Sequence, residues 1–342
     1  MKRRTLALLL LLCLLAGCAA PGVQQSPTIY EASFLTLFDT VTVIKGPAES
    51  QSAFAETARS IHDDLLRYHQ LFDIYNDYEG LNNLKTVNDQ AGIAPVKVDA
   101  AILDLLTDCR NYYELSGGKV NIAMGSVLHL WHVARNEGID DIANAKLPDM
   151  AALEAASEHT SIDCIVIDEA ASTVFISDPK VRLDVGAVAK GWAAQRAAEH
   201  APKGLLLSVG GNVCATGPKN ENTPWVIGVR DPAGAADDFL HTLYVSTGSV
   251  VTSGDYQRTY LVDGKMYHHI IDPETLMPSE YWRSVTIICP DSGLADALST
   301  ALFLLDRQAG QALLDKAGAE AMWVDGEGNC FYSPEFDKNI RT

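Results

Sequence analysis

The fifty residues from Val251 to Thr300 constrain this chain most. They hold three polar clusters, Thr252-Ser253-Gly254-Asp255-Tyr256, His268-His269-Ile270-Ile271-Asp272-Pro273 and Ala295-Asp296-Ala297-Leu298-Ser299-Thr300, separated by strand-like or helix-like apolar runs. That pattern describes a site assembled from several loops and one helix. From Leu294 to Leu305 apolar residues recur at helical spacing, which puts Asp296 and Thr300 one turn apart on one face. A carboxylate beside a hydroxyl near a helix start offers two hard oxygen ligands suited to Mg²⁺. The same pair also serves as a dipole-complementing Asp and a Thr bonded back to its own helix. His268 and His269 precede the turn signal Asp272-Pro273. Imidazoles there can move protons near neutral pH, or make a structural hydrogen bond at a strand end.

The chain has 342 residues, 47% hydrophobic and 20% charged, enough for a sizeable core, with no internal repeat and no Pro-, Gly- or Ser-rich linker through its middle. Its N-terminus reads as a processing signal. Lys2-Arg3-Arg4 precede an apolar run, Leu6 to Ala16, too short to cross a bilayer core of about 30 Å as a helix. Leu15-Ala16-Gly17-Cys18 resembles the lipobox of bacterial lipoproteins, which implies cleavage after residue 17 and a lipidated Cys18. A thioether-linked diacylglycerol plus an N-acyl chain such as palmitate supplies the several chains that stable anchoring needs. An ordinary secretory signal cleaved nearby is the alternative. Residues 18–33 then form the lipidated Cys and its tether, and the expected location is the extracytoplasmic side of a bacterial membrane. Loss of Lys2, Arg3 and Arg4 moves the formal charge from −18 to −21, which disfavours nucleic acid as a partner. Cys109, Cys164, Cys214, Cys289 and Cys330 show no Cys-x-x-Cys spacing, so they read as small hydrophobes rather than a disulfide frame or zinc site.

In order along the chain, Phe34 to Ile44 alternates as a strand, and Glu49 to Leu71 reads as a long helix. The Asp-, Asn- and Tyr-rich stretch from Phe72 to Asn88 reads as a loop whose side chains bond backbone, with tyrosines able to stack on a flat ligand or pack. Asp99 caps a helix to Leu115, closed by Gly117-Gly118. His129 and His132 have no carboxylate or cysteine at ligand spacing, so they carry little as a metal site. A helix over Leu147–Glu158 and a hairpin over Cys164–Ser177 follow. Arg182-Leu183-Asp184-Val185-Gly186-Ala187-Val188-Ala189-Lys190-Gly191 reads as a strand, a turn and a helix start. Helix N-terminal amides plus the Lys190 ammonium can hold an anion, although this is not a Walker loop. Gly210-Gly211-Asn212 permits close backbone approach, to a ligand or a neighbouring strand. Strands are expected at Trp225–Arg230, Thr242–Ser246 and Ser284–Ile288, a helix at Arg307–Ala317, two short strands around Gly326–Asn329, and a tail over residues 334–342.

Taken together, Leu183 to Gly191, Gly210-Gly211-Asn212, Thr252 to Tyr256, His268 to Pro273 and Ala295 to Thr300 resemble the ApbE family, flavin transferases that attach FMN to other proteins with FAD as donor. The resemblance runs from about Phe34 to Ser333. It implies an α+β fold: a single domain over residues 34–333, of antiparallel sheets with packed helices, related to the T-fold. It further implies FAD contacts at Phe38, Tyr75, Val120, Asn121, Ile122, Asp184, Lys190 and Ile270. Mg²⁺ ligands are implied at Asp296, Thr300 and the Ala187 carbonyl. The chain departs from the family pattern at Asn121, where Asp is usual, at Ser126, where Pro is usual, and at Thr275-Leu276, where Thr-Gly is usual.

The chemistry so implied needs charge neutralised on a pyrophosphate, which Mg²⁺ and Lys190 can supply. The nucleophile is a Ser or Thr hydroxyl of the acceptor, carried on a Ser/Thr-Gly-Ala-Ser/Thr motif at the membrane surface, and AMP departs. His269 is the candidate base, with His268 and Asp255 behind it. Other readings are an FAD pyrophosphatase with water as acceptor, a non-catalytic flavin-holding lipoprotein and a solute-binding lipoprotein.

Overall fold

The computed structural model describes residues 28–235 and 237–341; the expected signal peptide, Cys18 and the tether up to residue 27 lie outside the described residues. Eight strands make one antiparallel sheet whose neighbours follow chain order: Ile29–Leu35, Val41–Pro47, Leu206–Val209, Asn212–Ala215, Gly248–Gly254, Ser284–Cys289, Glu320–Val324 and Cys330–Tyr332. Segment 48–205, most of it helical, is inserted between the second and third of these strands.

The period of two along each strand sends successive side chains to opposite faces, and both faces are buried. Val251, Val285, Ile287 and Trp323 enter the large core beneath the helices. Val250, Met322 and Val324 face the other way and pack with Trp225, Ile227, Val229, Leu243 and Val245 of a separate hairpin, Trp225–Arg230 with Phe239–Val245. The result is an α+β domain of three layers: hairpin, sheet and helices. Among the helices, Gln51–Phe72 buries Phe54, Ala58, Ile61 and Leu65 and is capped by Ser50, which accepts the Ala53 N–H. Asp99 caps Ala100–Leu115 as expected, accepting the Ala101 N–H at 2.9 Å. The alanine-rich helix Ala189–His200 buries Ala193, Ala194 and Ala197 completely, which lets it lie close against Ser292–Phe303.

Six local expectations need correction. Residues 29–33, expected as tether, belong to the first strand, Ile29–Leu35, and pair with the second. The expected loop from Phe72 to Asn88 contains a short helix, Leu84–Asp89, capped by Asn83, whose Oδ1 accepts the Thr86 N–H at 3.0 Å. Phe34–Ile44 is a hairpin rather than one strand, because Thr36, Phe38 and Asp39 adopt left-handed backbone angles (φ 92°, 52° and 53°) that no glycine signals. A helix, Gly125–Asp140, was not read from the sequence, although Val127, Trp131, Ala134 and Gly138 are buried at helical spacing. Arg182–Asp184 forms a single bridge, Met124 with Arg182, instead of a strand. The supposed tail is packed: Phe336 is fully buried, Ile340 bridges to Leu243, and the Arg341 N–H donates to the Thr242 carbonyl at 2.8 Å. The five cysteines of the described region are free, with Cys109, Cys214 and Cys289 buried.

Candidate active site

A cavity of about 790 Å³, within the usual size range of ligand sites, gathers the polar clusters of the sequence. Its walls come from the 119–135 segment, residues 182–190, the loop after Gly254, residues 268–271, and the face of helix Ser292–Phe303 that carries Asp296 and Thr300.

Two of these walls are stitched together. The Asp184 N–H donates to the Ile122 carbonyl at 2.8 Å and the Gly125 N–H to the Arg182 carbonyl at 2.9 Å. A Cβ on Gly125 would lie 2.5 Å from that carbonyl oxygen, so the approach requires glycine. Buried Asn88 pins the same place, its amide donating to the Leu183 carbonyl (3.0 Å) and accepting the Leu183 N–H (2.7 Å). Asp184 then turns the chain by accepting the Gly186 N–H at 2.8 Å. Asn121 spends its side chain on the fold: Nδ2 donates to the Thr160 carbonyl and Oδ1 accepts the Ala123 N–H, both at 2.9 Å. An Asp could not make the first of these bonds, which gives the departure at this position a structural reason.

The start of helix Ala189–His200 is open. The Gly191 N–H, which would close the first turn onto the Ala187 carbonyl, instead donates to Asp296 Oδ2 at 2.8 Å. The Ala187 carbonyl therefore receives no backbone N–H. Asp296 is 5% exposed and forms no ion pair; burial raises its carboxyl above the ordinary value, with Lys190 and the Gly191 N–H working the other way. One turn on, Thr300 lines the cavity, and it is Ser299, not Thr300, whose hydroxyl bonds back to the Asp296 carbonyl. A buried carboxylate short of cationic partners, a released carbonyl and a cavity-facing hydroxyl make an all-oxygen set that fits a hard divalent cation. No cluster of three His, Cys, Asp or Glu residues exists among the described residues, so a cation here would rest on a single carboxylate.

The two histidines differ. His268 has both ring nitrogens engaged: Nε2 faces the Ser279 carbonyl at 2.8 Å and Nδ1 accepts the Ile270 N–H at 3.2 Å. His269 Nδ1 faces the Gln257 carbonyl at 3.1 Å, so Nδ1 carries the hydrogen and Nε2 keeps its lone pair. Burial, with Arg258, His268 and Lys190 adding positive potential, pulls His269 down to about 3. It is a neutral imidazole with its basic nitrogen free. Asp255 stands elsewhere: its carboxylate meets Arg283 Nε at 3.2 Å, and it lines a separate cavity of about 650 Å³ beyond His268.

Tyr75, Val120, Asn121, Ile122, Asp184, Lys190 and Ile270 all line the main cavity. Phe38 does not; its N–H donates to His69 Nδ1 and its ring packs edge-on against that imidazole at 5.5 Å. Lys119, Arg135 and Arg258, which the sequence did not single out, also line it, as does His132, weighed there only as a metal ligand. Lys119 joins Asp272 Oδ1 and Glu274 Oε1, both at 3.0 Å, across 153 residues of chain in the first case. No sequence signal connects such distant partners. In a chain of net charge −18, the cavity gathers six Lys and Arg against three Asp, a reversal that suits a polyanionic ligand.

A dinucleotide-sized cavity, cationic along its walls and set between two helices on an antiparallel sheet, defines the class. The ApbE family model matches residues 36–323, and the chain belongs to that family. It is 32% identical to an FAD:protein FMN transferase of Treponema pallidum, covering 92% of this chain and 89% of that protein. A second FAD:protein FMN transferase, from Klebsiella pneumoniae, is 31% identical over 77% of this chain and 83% of its own. The solved structure of an ApbE protein from Thermotoga maritima aligns with a TM-score of 0.82 at 31% identity, covering 92% of this chain and all of the other. The flavin transferase ApbE from Vibrio cholerae, 21% identical, shares the fold with a TM-score of 0.75 over 91% of this chain and 99% of its own.

Proposed function

We propose that this chain, a flavin-transfer enzyme by its family, moves the FMN half of FAD onto a Ser or Thr hydroxyl of an acceptor protein and releases AMP. The observation that carries the reading is the free Nε2 of His269 in the same cavity as Lys190, Asp296 and Thr300. The acceptor oxygen forms a new bond to the flavin-side phosphorus, the bond from that phosphorus to the bridging oxygen breaks, and AMP leaves with the bridging oxygen. His269 Nε2 takes the hydroxyl proton. Lys190, with its Nζ near the Gly186 carbonyl at 3.3 Å, offers its charge to the diphosphate. Tyr75 presents a ring for a flat group, and Val120, Ile122 and Ile270 give the apolar wall. Asp296, Thr300 and the Ala187 carbonyl would hold Mg²⁺, whose chemistry when bound is to neutralise charge on phosphoryl oxygens. His268 acts through the loop it braces rather than as a proton carrier.

The lipobox reading of Cys18 places the enzyme on the outer side of a bacterial membrane, with acceptors carrying a Ser/Thr-Gly-Ala-Ser/Thr motif at the same surface. Incubating the mature protein with FAD, Mg²⁺ and a motif-bearing acceptor tests the reading. In-gel flavin fluorescence on the acceptor is the expected result. Free FMN with an unlabelled acceptor would make water the acceptor, and bound, unchanged FAD would make the protein a flavin holder.

A further inference from the structure

The second cavity, about 650 Å³, has no part in the chemistry above, yet it shares His268 with the main cavity. Its charged walls are already matched: Lys265 with Glu280 at 2.5 Å, Arg283 with Asp255 at 3.2 Å, and Asp272 with Lys119 at 3.0 Å. What it offers a partner is apolar. Met266 and Tyr281 line it while 53% and 52% exposed, beside half-buried Met277 and buried Trp282.

One wall of this cavity is also a strand edge. Tyr260–Val262 and Lys265–Tyr267 form a hairpin about Asp263 and Gly264, whose left-handed angles (φ 49° and 82°) match a type I′ turn. Val262 and Lys265 flank the turn and exchange ladder hydrogen bonds. The alternation of an antiparallel pair then leaves Leu261 and Met266 opposite each other with N–H and C=O directed outward. The first strand leans on helix Gly125–Asp140, where a Cβ on Gly138 would lie 2.7 Å from the Tyr260 ring. The second strand, Lys265–Tyr267, has no further strand beside it among the described residues, and the Met266 N–H and C=O have no partner there outside the hairpin. An edge with unpaired backbone groups is a template for an extended chain.

The same strand runs directly into the base. Met266 precedes His269 by three residues, so their Cα atoms stand within about 11 Å of each other. We propose that the acceptor protein docks on this edge: an extended, uncharged segment, about three to five residues from the hydroxyl to be modified, adds as a third strand beside Met266 and lays an apolar side chain against Met266 and Tyr281. This deepens the acceptor reading above and rests on it for the identity of the partner. The main cavity, with its excess of Lys and Arg, takes the anionic dinucleotide, and the charge-matched second cavity takes neutral polypeptide. The two substrates thus occupy separate surfaces that meet at His268, and the acceptor binds whether or not FAD is present.

The test measures docking apart from chemistry. A motif-bearing acceptor, dye-labelled and with its modified Ser or Thr changed to Ala, is titrated into the mature protein without FAD; FAD affinity and transfer to the unaltered acceptor are measured in parallel. Met266→Ala and Tyr281→Ala are each expected to weaken acceptor binding and raise its KM about tenfold, with kcat and FAD affinity within about twofold of the parent. Met266→Pro, which deletes an N–H that the hairpin does not use, should weaken the acceptor further than Met266→Ala. Melting temperatures check the fold, and if the Pro variant does not fold the two Ala variants decide. Unchanged acceptor binding and KM in both Ala variants overturns the docking site. So does a loss shared equally by FAD, or a dimer of the parent that both variants abolish, which would give the edge to a second copy of this chain. The reaction is scored separately: Met266-dependent acceptor binding without transfer refutes only the chemistry, transfer with unchanged variants refutes only the docking site, and a parent that neither binds nor labels the acceptor refutes both.

Discussion

The N–H of Gly191 points to Asp296 Oδ2 at 2.8 Å rather than to the carbonyl of Ala187. One hydrogen bond thereby orients the carboxylate, frees a carbonyl beside it and joins two helices more than a hundred residues apart in sequence. Glycine is needed for the contact, since a Cβ would lie 2.3 Å from the Ser292 carbonyl oxygen and 2.4 Å from Asp296 Cβ. Gly191→Ala is expected to push the helices apart, at about 1–3 kcal/mol of stability from overpacking. Transfer activity should fall further than stability does. A urea midpoint and a single-turnover assay on the same preparation check both.

Metal binding should be visible without turnover. Adding Mg²⁺ to the ligand-free protein is expected to raise the melting temperature, because a ligand that binds only the folded state stabilises it by mass action. Asp296→Asn should abolish that rise while leaving the fold intact, since Asn keeps the acceptor for Gly191. An equal Mg²⁺-dependent shift in parent and variant places the cation elsewhere.

The histidines set the sign of the response to acid. His132, His268 and His269 are all pulled below the usual imidazole value, burial being the first cause in each, and His269 reaches about 3. Unfolded imidazoles titrate near 6.5, so below that pH the unfolded chain binds more protons than the folded one. Stability is expected to fall as pH drops from about 6.5 to 5, a window above most carboxylate titration. His269→Gln should flatten part of that slope in urea titrations at pH 7.5, 6 and 5. For the same reason kcat/KM should show no acid limb near 6.5 attributable to His269, because that profile reports the free enzyme.

The C-terminal segment closes the second core. Phe336 is fully buried against the hairpin and Tyr332, and Phe336→Ala is expected to cost about 3–5 kcal/mol. Flavin binding should survive in whatever fraction stays folded, because none of residues 334–341 lines the cavity. A thermal melt and an FAD titration separate the two effects.

How far the chain could be read in advance follows from what kind of signal each element carries. Helix Ser292–Phe303 and its Asp296/Thr300 face are local, set by a 3.6-residue period, and were legible. The hairpin turn at Thr36–Asp39 was not, because its left-handed residues carry no glycine or Asn-Gly mark. Helix Gly125–Asp140 buries Val127, Trp131, Ala134 and Gly138 at helical spacing, but exposed Val133 and Ile139 put apolar residues on its outer face as well and blur the stripe; His132 on it braces Tyr75 and Arg135. Lys119 and Asp272 are 153 positions apart, and pairing at that distance is a property of the fold alone. Asp255 had the residue type of a helper to His269, yet the strand it follows delivers it to Arg283.

The most direct measurement of the account is single-turnover flavin transfer by the Asp296→Ala protein, with FAD, saturating Mg²⁺ and a motif-bearing acceptor. Loss of the buried carboxylate should slow transfer by on the order of 10²-fold or more, the several kcal/mol expected of metal-assisted charge neutralisation. Transfer at the parental rate would contradict it.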